Sequence, residues 1–175
     1  MKKRFYLSVS VALLLGTVLV FSSCSDNADT PIGEEEKPDL SIYDMNRPVG
    51  FGKEVTGSNN QNPVLVTTEA ELRNAVSGTE PATVYIQGHI SLNTRIMVGS
   101  NKTILGISGA SVKNANRDEN AGIFLLVGSN NVIIRNLTLL GPGAYDIDAN
   151  DGDNISLTNA TNVWVDHCDI QDGID

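Results

Sequence analysis

Ser100-Asn101-Lys102-Thr103-Ile104-Leu105-Gly106, Asn130-Asn131-Val132-Ile133-Ile134-Arg135-Asn136 and Thr161-Asn162-Val163-Trp164-Val165-Asp166-His167 are three versions of one phrase; their Asn101, Asn131 and Asn162 stand 30 and 31 positions apart. In each, an Asn that tolerates a turn conformation and can hydrogen-bond along a stack precedes Val and Ile residues suited to an interior. Further short apolar runs, Ile123 to Val127 and Ile155 to Leu157, lie between them, bounded by Gly, Asn or Asp. Short β-rich segments recurring in this way predict a solenoid whose coils stack through parallel strands. An antiparallel sandwich, which also shows short strands with turn signals, is the alternative. Helical spacing occurs from Thr68 to Val76, through Glu69, Glu71, Leu72 and Ala75, with Thr67 or Thr68 as N-cap. That helix is expected to cover the first coils, because an open β-stack exposes pairing edges.

Outside this region the chain changes character. Residues 1–23 read as a processing signal: Lys2, Lys3 and Arg4 precede an apolar stretch from Phe5 to Val20 that is short for a bilayer span. Phe21-Ser22-Ser23-Cys24 is similar to a bacterial lipobox and predicts lipidation of Cys24, with simple secretion or a retained anchor as alternatives. Residues 24–48 are polar and acidic, with Glu34, Glu35 and Glu36 between Pro31 and Pro38, and read as a flexible tether. Residues 49–175 then form one modest domain. The expected location is the cell envelope, as an outer-membrane or cell-surface lipoprotein, or outside the cell, with membrane contact only through the lipid at Cys24.

The chain has 12 Lys and Arg against 21 Asp and Glu, a net charge of −9. Without residues 1–23 the balance is 9 against 21, or −12. Such a surface disfavours nucleic acid, and it suits a polyanion only where divalent cations or a local basic patch bridge the two. Cys168 reads as a core residue, since nothing near it in sequence supplies the positive charge that activates a thiol.

Asp146, Asp148, Asp151 and Asp153 fall close together, with Asn150, Gly152 and Asn154 among them. Hard oxygen ligands at this density suit Ca2+, which accepts a mixed shell better than the strictly octahedral Mg2+. The bland reading is a solvated acidic loop. An EF-hand fails on spacing, since the sixth position from Asp146 is Asp151 and the twelfth is Leu157. His167 has the side-chain chemistry of a general base, but on a strand beside Asp166 its ring is expected to face away from that carboxylate and to be structural. His89 reads as structural, Arg135 as the partner of a nearby acid, and Trp164 as buried or packed between coils. With two histidines and no Cys/His pairs at ligand spacing, a zinc site is not expected.

Gly50-Phe51-Gly52, Val66-Thr67, Glu71-Leu72-Arg73, the Ser100–Gly106 phrase, Asn131 to Leu137, and Val163-Trp164-Val165-Asp166-His167 follow one another in the order of the pectate lyase family, which residues 49–175 resemble nearly throughout. The resemblance implies an all-β, right-handed parallel β-helix, and an enzyme that cleaves polygalacturonate (de-esterified pectin) by Ca2+-dependent β-elimination. It matches Asp151 and Asp153 to two calcium-binding carboxylates. It requires a further pair four positions apart, for which Asp172 and Asp175 are candidates, Asp175 being the preferred first member. Asp166 and His167 match the family's signature strand and are implied to support the site. The family's arginine base has no match up to residue 175, so the chain is expected to be incomplete at its C-terminal end and, if full length, monomeric.

β-Elimination removes a weakly acidic proton from C5 of a uronate and expels the C4 oxygen. A cation on the C6 carboxylate would neutralise its charge and let an acidic protein hold an acidic polymer. Two rivals remain: a β-helix hydrolase of the polygalacturonase type working through paired carboxylates, and a non-catalytic remnant or carbohydrate-binding fragment. A pectin lyase is disfavoured, because a neutral substrate does not need Asp151 and Asp153.

Overall fold

A computed structural model describes residues 48, 50–143 and 152–173. Among them the strands are β1 (Pro63–Val66), β2 (Ala82–Ile86), β3 (His89–Leu92), β4 (Ile96–Met97), β5 (Lys102–Gly106), β6 (Ser111–Asn114), β7 (Phe124–Val127), β8 (Asn130–Arg135), β9 (Thr138–Leu140), β10 (Ile155–Thr158), β11 (Thr161–Asp166) and β12 (Asp169–Gln171), with one helix, α1 (Glu69–Val76). Sheet 1 runs β1-β2-β5-β8-β11, sheet 2 runs β3-β6-β9-β12, and sheet 3 runs β4-β7-β10. From β2 onward successive strands in sequence belong to different sheets, and every pairing within a sheet is parallel. This is a parallel β-helix, and the antiparallel sandwich is excluded.

The corners follow from the asparagines. Asn101, Asn131 and Asn162 take φ of 57°, 63° and 53°, the left-handed region that an Asn enters more readily than most side chains. Asn131 Nδ2 donates to Asn101 Oδ1 at 3.0 Å, and Asn162 Nδ2 to Asn130 Oδ1 at 3.3 Å, so the corner is also a ladder along the stack. The next corner repeats the device. Asn136 (φ 57°) donates to the carbonyl of Gly106 at 2.7 Å, and His167 (φ 49°) stands one coil later at the equivalent turn.

Strand alternation then separates interior from exterior. Val84, Ile104, Ile134 and Val165 lie in register and point inward, the first three fully buried. Burying each such side chain is worth about 1.5–3 kcal/mol. Lys102 occupies an inward register beside Ala82, Val132 and Val163. Its ammonium reaches the corner and donates to the carbonyls of Gly78 (3.3 Å), Ser100 (3.2 Å) and Glu80. Burial pushes its pKa down, partly offset by the Glu80 charge.

Helix α1 starts where the sequence places it. Thr68 is the N-cap, and Thr68 with Glu71 forms a reciprocal capping box. Leu72 and Val76 are fully buried against the first coils, so the helix covers the core there.

The outward face of sheet 1 is covered by residues 50–62. Ser58 N donates to Thr103 Oγ1 at 2.9 Å, while Asn131 Oδ1 accepts from the amides of Thr56 and Gly57, both at 2.8 Å. Gly57, at φ 56°, passes so close that a Cβ would lie 2.1 Å from Thr103 Oγ1. Alternation turns Val163 and Val165 inward and the half-buried Trp164 outward. There it packs against Gly52, with the Arg135 guanidinium 5.7 Å from its ring centroid. Cys168 is half-buried against the core cluster, and burial raises its thiol pKa, as expected of an unreactive thiol.

Candidate functional site

In sequence the acidic stretch lies between β9 of sheet 2 and β10 of sheet 3, and its described end, Asp153 and Asn154, stands at the corner before β10. Asp153 lies just before β10, where backbones stack without room for side chains. A Cβ on Gly122, at φ 88°, would meet the carbonyl oxygen of Asp153 at 2.6 Å, and Phe124 N donates to the Asn154 carbonyl at 3.0 Å. The position of Asp153 is thus set by the coil beneath it. Its carboxylate accepts a hydrogen bond from Ser156 Oγ at 3.2 Å.

Asn154, only 3% exposed, donates from Nδ2 to the Gln171 carbonyl at 2.7 Å, while its Oδ1 is buried with no hydrogen-bond partner. A Cβ on Gly141 would lie 2.1 Å from the Asp172 carbonyl oxygen and 2.8 Å from Asn154 Oδ1, so the ends of β9 and β12 meet the start of β10 here. Asp172 takes φ 53°, is exposed, and accepts from Gly143 N at 2.9 Å through its backbone oxygen. Asp153, Asn154 and Gly173 line a cavity of about 260 Å³. On the outward side Asp153, Ser156 and Thr158 share a second cavity, about 310 Å³, with Arg95, Leu125 and Leu157.

The donors at this corner are a carboxylate and an unpartnered amide oxygen, chemistry that fits a hard cation such as Ca2+. Among the described residues no group of three His, Cys, Asp or Glu side chains is spaced to hold a metal, so they supply part of a coordination shell. Asp146, Asp148, Asp151 and Asp175 lie outside the described residues, as do the signal, Cys24 and the tether up to residue 47.

Asp166 and His167 are not brought to this corner. They lie where sheet 1 turns toward sheet 2, while Asp153 begins sheet 3. The expected orientation of the histidine is corrected: its Nδ1 lies 2.6 Å from Asp166 Oδ2. The strand ends at Asp166, and the left-handed φ of His167 swings the ring back onto its neighbour. Asp166 Oδ2 also accepts from Arg135 Nε at 2.8 Å, the acid partner expected for that arginine. His89, the other histidine, pairs through Nδ1 with Ser111 Oγ at 2.7 Å, one coil along sheet 2.

Two residues at the corner are not singled out by the sequence, Arg95 and Ser156, while Asn154 stands there as one of the residues among the aspartates. Ser156 belongs to a generic turn-then-strand pattern. Arg95 lies two coils upstream of Asp153, and stacking alone places them beside one cavity.

The molecule is therefore a parallel β-helix protein with an oxygen-donor corner opening onto the outward face of one sheet. A family described as pectate lyase matches residues 20–174. Over 142 residues the chain is 36% identical to "Probable pectate lyase B" of Aspergillus terreus, covering 75% of this chain and 40% of that protein. It is 37% identical over 127 residues to "Pectate lyase plyB" of Emericella nidulans, covering 70% of this chain and 35% of the relative. It is 33% identical over 126 residues to a "Pectin lyase" of Pectobacterium carotovorum, covering 69% and 38%. The chain belongs to the pectate lyase family, and it spans about 40% or less of the length of these relatives.

Proposed function

We propose that the chain acts on de-esterified pectin as a Ca2+-dependent pectate lyase, with Asp153 and Asp151 as calcium ligands and Asp175 or Asp172 contributing a further carboxylate. The observation that carries the reading is the set of oxygen donors at the start of β10, Asp153 with the unpartnered Asn154 Oδ1, in a chain of this family. Bound calcium would neutralise the uronate carboxylate and so make the C5 proton easier to remove. The chain's own part is to fix Asp153 against the Gly122 turn, to orient its carboxylate through Ser156, and to leave a cavity beside it. Asp166 and His167 hold the sheet 1 corner and support the coil from which β12 leaves. No residue in 49–175 matches the family's arginine base, so no proton transfer is assigned to this chain. Residues 1–23 act as a signal and Cys24 as a lipid anchor in the same proposal, with the protein at the cell envelope or outside the cell.

The test is polygalacturonate incubated with the protein in calcium, followed for the ultraviolet-absorbing unsaturated product and for bound calcium. Product that disappears with a chelator supports the lyase. Cleavage without that product, surviving the chelator, supports the hydrolase. Calcium and oligogalacturonate binding without cleavage supports a binding fragment.

A further inference from the structure

The Arg95 side chain takes part in no ion pair among the described residues, although its backbone is firmly held. Helix α1 fixes the turn that carries it: Arg73 donates to the carbonyls of Thr94 at 3.0 Å and Arg95 at 3.2 Å, and pairs with Glu69 Oε1 at 2.7 Å. Glu69 in turn accepts from Asn93 N at 3.1 Å and from Asn93 Nδ2 at 2.6 Å. Burial pushes the Glu69 carboxyl up, but hydrogen bonds from Arg73 and Asn93 outweigh it and hold the group below its ordinary range. The backbone is thus clamped from residue 93 to 95, while among the described residues no acid lies within ion-pair distance of the Arg95 guanidinium.

Arg95 lines the cavity that Asp153 and Ser156 also line. Strands β4, β7 and β10 stack in one sheet, so Arg95 lies two strand spacings from Asp153, roughly 10 Å along the stack. Beside it, Met97 and Val127 leave 61% and 51% of their surfaces exposed on the same outward face. A cation carried on a clamped turn, a carboxylate with the chemistry of a calcium ligand, and exposed apolar surface on one outward face suit an extended anionic sugar chain. One carboxylate would be met through the metal and another directly through a planar fork of donors.

We propose that Arg95 is a specificity-determining residue that pairs with a free carboxylate of the polyuronate, upstream of the sugar held at Asp153, and so selects de-esterified polymer. This rests on the functional reading above and adds a residue and a direction for the bound chain.

The experiment is calorimetric titration of the full chain, in calcium, with a de-esterified oligogalacturonate and with its methyl ester. Wild type is compared with R95Q, R95K and D153N, with calcium-only titrations and melting curves alongside. Expected for R95Q is affinity for the free acid weakened about tenfold or more, the preference over the ester largely lost, and calcium binding and melting unchanged. R95K should fall between, since an ammonium keeps the charge without the fork. If R95Q and R95K bind the free acid as wild type does while D153N loses it, the role of Arg95 is overturned and the functional reading stands. If wild type binds neither oligomer, that reading fails and takes this inference with it.

Discussion

Sheets 1 and 3 are built from the same coils, and each presents an arginine and an aspartate outward or at its margin, yet they use them in opposite ways. On sheet 1 Arg135 and Asp166 meet at 2.8 Å and Trp164 lies beside the guanidinium, while residues 50–62 cover neighbouring positions until Thr103 and Ile133 are 1% and 2% exposed. On sheet 3 Arg95 and Asp153 share a cavity without pairing, and Met97 and Val127 stand open. A paired, covered charge contributes to the fold, whereas one held in place and left unpaired is available to a ligand. The position of an acid on a β-helix therefore says less about its role than what lies over it.

The sharpest way to break the comparison is to strip the cover from sheet 1. Gly57→Ala should cost about 4 kcal/mol, because the new Cβ would sit 2.1 Å from Thr103 Oγ1 at a left-handed φ. Denaturant unfolding measures this, and an unchanged midpoint would mean that residues 50–62 do not hold sheet 1. On the open face, Asp153→Asn should weaken calcium-dependent pectate binding about a hundredfold, close to 3 kcal/mol, with little change in melting temperature. Equal binding by the variant would remove Asp153 from the site.

Asn131→Ala removes hydrogen bonds to Thr56, Gly57 and the Asn101 ladder together, and should cost about 2 kcal/mol. Hydrogen exchange should then rise in residues 50–62 and leave β10 unaffected. A loss of protection spread evenly over both sheets would count against a cover held by that side chain.

The smallest effect belongs to the helix end. The Thr67 amide first, with the Thr68 hydroxyl and amide, holds the Glu71 carboxyl below its ordinary 4.5. Its contribution is therefore complete above that value and is lost as pH falls through the depressed folded value. Glu71→Gln should flatten this acid limb in melting curves taken against pH, without altering pectate binding. A limb of unchanged slope would show that the capping box carries no pH-dependent stability.

The repeated Asn-then-aliphatic phrase made the coils, their corners and the ladder legible, because a left-handed turn and a buried strand leave local residue preferences. The capping box made the start of α1 legible for the same reason. Family likeness drew attention to Asp153, but its placement over Gly122 is a contact across 31 positions that no local pattern contains. The orientation of His167 was misjudged because a strand was assumed where the chain turns left-handed, as Asn136 does one coil earlier. Arg95 was overlooked because its meaning depends on a neighbour two coils away.

By itself, then, the sequence determined a parallel β-helix, its family and the general whereabouts of an oxygen-rich corner, all properties of short segments and their recurrence. Tertiary structure decided which face is covered, which charges are already paired, and which arginine shares a cavity with Asp153. Those depend on how coils stack and on where residues 50–62 cross them, relations between residues far apart in the chain that only the folded molecule brings into contact.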